Sequence, residues 1–417
     1  MRADSLKIPR DPRPESTIAL LREGYEFIGN GVQKLRSPIF ESRILLQRTY
    51  CLQGHDAAAM FYESPHLSRV NAAPRMLIRT LFGSQAIQGL DGPSHKRRKA
   101  LFLDLLSGEP AAKLTHRVEA ELDAALPRWK VAGTVDFLDE IQTVLFRSAM
   151  SWAGLPEDIS QTRQRHFVAL IEGAGSIGLD HLRGRWARRE AERWGAKRIL
   201  QQRHSSGAMP AGSPADQIAH YRDLDDQPLA PRVAAVELLN LLRPIVAISY
   251  FLLYAMVELT RRPIWQERLR CDDVWLLPFI QEVRRLYAFF PFVAARVICP
   301  FEWRGMRLER GARVLLDLYG SNRERDAWND PNVFAPERFL SRQPDPYTMI
   351  PQGGGSHGTG HRCPGEWVTL DIMQACLRKL CRNIQYQAPL LEGMPARNSF
   401  PLRFDHRFVL SRIETRD

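Results

Sequence analysis

The chain has 417 residues, of which 44% are hydrophobic, 25% charged and 9% aromatic. That length and composition support a large core and exclude a disordered or disulfide-stapled chain, and 27 glycines and 28 prolines are too few for collagen or a low-complexity linker. The formal charge of +11 suits nucleic acid, an anionic membrane or acidic small molecules as partners.

The N-terminus, MRADSLKIPRDPRPES, is polar and has no apolar h-region, so no signal peptide is expected. Three-to-four-residue apolar spacing predicts helices over 15–36, 112–126, 137–153, 161–173 and 182–203. Residues 39–62 read as a hairpin with Gly54 near its turn. The stretch from Arg183 to Arg203 is rich in basic residues, interrupted by Glu190 and Glu192, with Trp186 and Trp194 at a helical period. A solvated amphipathic helix explains it better than a nucleic-acid face, since no finger, RNP or P-loop pattern accompanies it. Residues 205–231, with Pro210, Pro214 and Pro228, read as an exposed loop. A long apolar helix follows over 231–261. Glu237, Asn240 and Arg243 interrupt it, and the apolar remainder, 245–257, is too short to span a bilayer. It reads as the buried axis of a helical protein, with no membrane span. Another helix is expected over 274–289, a small sheet over 292–301 and 303–316, a helix over 366–382, and extended chain over 384–389 and 400–412. No βαβ repeat occurs. The fold class is mainly α with small β-sheets, as one domain over 1–417.

The six cysteines, Cys51, Cys271, Cys299, Cys363, Cys376 and Cys381, form no C-x-x-C pair, which disfavours a zinc knuckle. Nothing suggests a disulfide framework, as fits a reducing cytosol and a cytoplasmic protein. Between Pro351 and Glu366 the chain reads PQGGGSHGTGHRCPGE. Glycines there let the backbone approach a flat object, and Cys363 sits just before a helix start, where free N–H groups favour a thiolate. Glu282 and Arg285 lie one helical turn apart, and Arg338 of the PERF stretch can complete a buried network with them.

The set E-x-x-R, PERF and a glycine-rich cysteine loop resembles the cytochrome P450 superfamily over essentially the whole chain. The resemblance implies heme b between the long distal helix and the cysteine loop, with Cys363 as axial iron ligand. A thiolate ligand favours O–O cleavage. His361, Arg69, His95 and Lys99 match positions that contact the heme propionates. Two loop positions depart from the usual pattern: Ser356 replaces the phenylalanine seven residues before the cysteine, and Thr359 replaces a glycine. The distal helix of an ordinary monooxygenase carries an acid followed by an alcohol, and here the matching stretch is LLRPIVA. Pro244 lacks an N–H and frees the carbonyl of Asn240, so the helix is expected to kink or open there. Arg243 puts a cation among apolar residues, so it needs an anion from a ligand, pairs with a protein carboxylate, or snorkels to the surface.

Arg243-Pro244, AIQGLDG and the cysteine loop together resemble the bacterial fatty acid peroxygenases of that superfamily. The resemblance implies that Arg243 binds the substrate carboxylate and that hydrogen peroxide serves as oxidant, with no redox partner. Gln88 matches the position facing the α and β carbons. Phe82, Ala174, Phe289, Phe290 and Phe292 match channel-lining positions, although core packing is the ordinary role of such residues. The expected product is mainly the 2-hydroxy fatty acid, with a minor 3-hydroxy or terminal alkene fraction. The competing readings are an electron-fed monooxygenase with a redox partner and a non-catalytic heme or fatty-acid sensor.

Overall fold

The computed structural model describes residues 6–175, 178–205, 207–341 and 343–416. Its axis is the helix Pro231–Arg261. From Ala234 to Leu259 every residue is buried except Pro244. The helix has the length and apolarity of a membrane span, but protein answers its apolar surface. Helices Phe137–Trp152, Gln161–Glu172, Leu179–His204 and Glu366–Arg382 pack around it. Helical conformation continues through Pro244, so the helix does not open there.

Five strands form the main sheet in the order Ile39–Ile44, Gln47–Leu52, Arg313–Asp317, Phe292–Val297, Leu67–Ser68. Gln47–Leu52 pairs in parallel with Arg313–Asp317, and the other pairings are antiparallel. The segments 292–301 and 303–316 therefore do not make a sheet of their own. Phe292–Val297 and Arg313–Asp317 join the N-terminal hairpin, and only Phe301–Trp303 and Met306–Leu308 pair by themselves. A third sheet joins Thr134–Asp136, Val409–Thr415 and Ile384–Gln387.

Several expected boundaries move. The hairpin turns at Leu45 and Leu46, which adopt positive φ, and Gly54 instead caps the helix His55–Glu63. Gly54 has φ +103, and a Cβ there would lie 2.5 Å from the Glu324 carboxylate. The expected helix 15–36 breaks at Gly24, where an added Cβ would overlap the Arg397 carbonyl. Within 205–231 the helix Pro214–His220 forms, capped by the Ser213 side chain. The helix Gly92–Leu105 carries His95 and Lys99 and has weak apolar periodicity, because its buried face includes His95, Arg98 and Lys99.

Candidate active site

Cys363 lies in the loop before the helix Glu366–Arg382. Its N–H donates to the Gln352 carbonyl at 3.1 Å, and the Gln352 side chain donates to Sγ at 3.8 Å. Glu366 follows at once and is held by Arg284 and Arg362, each at 2.5 Å. Burial pushes the Cys363 thiol above its ordinary pKa, against the Gly365 N–H, Lys99 and Arg284, which favour the thiolate. The helix end alone therefore does not secure a thiolate, because desolvation of the sulfur outweighs it. A bound metal cation reverses that balance. The glycine triplet has a local cause. Gly353 and Gly355 adopt φ +93 and +75, and a Cβ on Gly354 would sit 2.6 Å from the Pro346 carbonyl. Behind the loop, Glu282 receives Arg285 at 2.7 Å and Arg338 at 3.3 Å, which is the network expected from the sequence.

To one side, the rings of His95 and His361 stack at 3.9 Å. His361 Nε2 lies 3.1 Å from Asp91, which also accepts from the Ser68 hydroxyl and the Arg69 N–H. Burial raises the Asp91 pKa, but these hydrogen bonds win and hold it at about 2. The Arg69 guanidinium lies 4.3 Å above the Phe61 ring and donates to the Ala294 carbonyl. Burial lowers the pKa of His95 to about 3, with His361 and Lys99 adding repulsion. Burial lowers Lys99 to about 8 while Cys363 opposes it. Lys99 Nζ donates to the carbonyls of Gly360 and Arg362, so it clamps the cysteine loop.

On the helix Pro231–Arg261, Arg243 is 4% exposed. Among the described residues no carboxylate lies within 4.0 Å of it. Its Nε has no partner, and Nη2 reaches only Asn240 Oδ1, at 3.5 Å. Burial and the nearby Arg188 lower its pKa to about 9, and Cys363 opposes them. Glu237 is fully buried on the same helix but is taken by Arg98 at 3.0 Å. Gln88 enters this cluster through its Oε1, which accepts from Asn240 at 3.4 Å. Pro244, next in the chain, is the one exposed residue from Ala234 to Leu259.

Phe82, Phe289 and Phe290 form one aromatic cluster with Phe400. Phe290 stacks on Phe400 at 5.1 Å and meets Phe289 at 5.2 Å and Phe82 at 6.4 Å. Ala174 is buried, and its neighbour Gly175 touches Phe400 so closely that a Cβ would sit 2.6 Å away. Phe292 is not brought here. It packs with Phe27, Ile28 and Phe40, because successive strand residues face opposite sides of the sheet.

Comparison with known proteins decides the lineage. The family model "Cytochrome P450" matches residues 275–402. The solved structure of a point variant of Cytochrome P450SP alpha (CYP152B1) is 39% identical, covering 97% of this chain and 100% of that one, with a TM-score of 0.93. The chain belongs to the cytochrome P450 family, in its fatty acid peroxygenase branch. Cytochrome P450EX alpha (CYP152N1) with myristic acid is 33% identical, covering 99% of this chain and 100% of that one, with a TM-score of 0.93. A variant of cytochrome P450 OleT in complex with arachidonic acid is 29% identical over 99% of each chain, with a TM-score of 0.94. Curated relatives are more distant. Putative cytochrome P450 137 of Mycobacterium tuberculosis is 24% identical over 74% of this chain and 68% of its own. Cytochrome P450 76T24 of Catharanthus roseus is 27% identical over 34% of this chain and only 32% of its own length.

As a cytochrome P450 the chain is an oxidoreductase with heme b as cofactor. The donor set fits that group: the Cys363 sulfur, and beside it the Arg69 cation with His95 and His361, which burial keeps neutral and which serve propionates as hydrogen-bond donors. Sequence reasoning missed Asp91, Arg98, Glu237, Asn240 and Phe400. The spacing Glu237, Asn240, Arg243 was a usable signal, since residues three apart share a helix face.

Proposed function

We propose that this protein hydroxylates long-chain fatty acids with hydrogen peroxide, mainly at the α carbon and to a lesser extent at the β carbon. The carrying observation is Arg243, a buried guanidinium with no carboxylate beside it among the described residues and an unpaired Nε. A buried cation of this kind requires an anion, and the planar fork suits a bidentate carboxylate. Cytochrome P450EX alpha with myristic acid and the OleT variant with arachidonic acid, both similar throughout, carry fatty acids.

Cys363 would hold the heme iron, while Arg69, His95 and His361 would meet the propionates and Lys99 would brace the loop. Bound heme supplies the oxidising chemistry. Arg243 holds the carboxylate and keeps it ionised. The carboxylate takes a proton from one oxygen of hydrogen peroxide and returns it to the other, so that one oxygen leaves as water, the other ends in the product hydroxyl, and no reductase is needed. The anchor also limits reach. With the head group fixed, the α and β carbons are the ones presented for reaction. Gln88, neutral near pH 7, supports alcohol over alkene, and Phe289 and Phe290 press on the chain.

The test combines purified holoenzyme, hydrogen peroxide and a long-chain fatty acid without any reductase, with products identified by mass spectrometry. The expected product is mainly 2-hydroxy acid. Arg243→Ala should lose turnover and bind fatty acid more weakly, since losing one partner of a buried pair costs about 3–5 kcal/mol. A dominant terminal alkene or ω-region alcohol overturns the regiochemistry. Near-normal turnover in Arg243→Ala overturns the anchor.

A further inference from the structure

Three residues at one-turn spacing on the distal helix, Glu237, Asn240 and Arg243, form a connected polar row. A side-chain amide can face its neighbours in two ways, and the hydrogen bonds decide between them. Around Asn240 the decision is over-determined. Its Nδ2 is surrounded by three acceptors: the Phe82 carbonyl at 2.9 Å, Glu237 Oε2 at 3.3 Å and Gln88 Oε1 at 3.4 Å. The remaining atom, Oδ1, must face Arg243, and it does so at 3.5 Å.

Glu237 keeps this orientation without competing for Arg243. It is fully buried, and Oε1 receives both the Ile87 N–H at 2.9 Å and Arg98 at 3.0 Å. Arg98 is tied in turn to Asp223 and to the Gln85 carbonyl at 2.7 Å. Gln85 and Ile87 lie just before Gln88, at the start of the turn Ile87–Gly89, so the Glu237–Arg98 pair fixes the segment presenting Gln88. Arg243 thus meets a neutral carbonyl rather than an anion, and its charge stays uncompensated within the protein.

We propose that Asn240 is a positioning residue for Arg243, oriented by the Arg98-bound Glu237, and that its neutrality keeps the guanidinium free for a substrate carboxylate. This rests on the carboxylate-anchor reading above. Replacing the amide by a carboxylate of equal size would install an internal anion where the substrate's belongs. Such a tethered group competes at high effective concentration.

The experiment compares Asn240→Asp and Asn240→Ala with the parent holoenzyme, using isothermal titration calorimetry. The ligands are myristic acid and the fatty alcohol of the same length. Asn240→Asp is expected to weaken acid binding roughly tenfold or more and to leave alcohol binding unchanged. Asn240→Ala introduces no charge and should lose less acid affinity than Asn240→Asp. Equal losses for acid and alcohol would show a structural defect and overturn the proposal, as would acid affinity in Asn240→Asp equal to the parent's. A larger acid-to-alcohol loss in Asn240→Ala than in Asn240→Asp also overturns it, and the alcohol in each variant corrects for any folding defect. Arg243→Ala runs alongside. If it keeps parental acid affinity, the anchor reading itself fails. If it loses affinity while Asn240→Asp does not, only the positioning role fails.

Discussion

Cys363 and Arg243 face the same residue-scale problem, since desolvation disfavours the charged form of each. The thiol is pushed up by burial and the guanidinium down to about 9, so each is costly until a counter-charge arrives. Cys363→Ala should abolish the thiolate-type carbon monoxide difference spectrum while far-UV circular dichroism stays near normal. A variant that keeps that spectrum would show that another residue ligates the iron. Both residues were legible from sequence because their neighbours are diagnostic, the glycine-rich loop for one and the adjoining proline for the other. Asn240 was not, because a side-chain amide in an apolar helix gives no sign of which way it faces.

At the scale of elements, two buried acids behave oppositely. Glu282 joins the helix Leu276–Leu286 to the PERF turn through Arg285 and Arg338. Glu282→Ala leaves Arg285 and Arg338 with carbonyl partners but no carboxylate, and should cost about 3–5 kcal/mol in denaturant unfolding. A loss below about 1 kcal/mol would place the network among weakly coupled surface pairs. Asp317 ends the strand Arg313–Asp317 and caps the next turn through the Gly320 N–H at 2.8 Å. Its Oδ2 has no partner, and burial raises its pKa from 3.8 to about 7. A raised carboxyl stabilises the fold when protonated. That contribution is full below about pH 4 and fades as pH rises through about 7. Asp317→Asn keeps an acceptor and a neutral group, so it should be more stable than the parent at pH 8 and similar at pH 4. Equal stability at both pH values would show that Asp317 titrates normally. The hairpin was misread at this scale because Gly54 suggests a turn, whereas the chain turns on two leucines in left-handed conformation.

Over the whole molecule, the helix Pro231–Arg261 carries Arg243 and the loop before the helix Glu366–Arg382 carries the sulfur, while Phe82, Phe289, Phe290 and Phe400 gather in one aromatic cluster. If the substrate brings the acid that the distal helix lacks, an apolar substrate without a carboxyl should react slowly with peroxide. A short-chain carboxylic acid added alongside should raise its turnover, and Arg243→Ala should abolish the rise. Product yield by gas chromatography measures both. An undiminished rise in that variant would mean the acid acts elsewhere. The basic run from Arg183 to Arg203 proved partly structural: Arg188 is buried on Glu192 and the carbonyls of Leu81 and Phe82, while Arg193 stays exposed.

By itself the sequence determined the helical class, the buried central axis, the cysteine loop and the Glu282 network. Those follow from local spacing and from motifs whose residues lie close together in the chain. Tertiary structure alone decided which strands pair, that Phe292 faces away from the aromatic cluster, that Phe400 joins it, and that Arg98 rather than Arg243 takes Glu237. Those outcomes depend on contacts between residues distant in sequence, where burial and geometry choose among partners that local chemistry leaves equivalent.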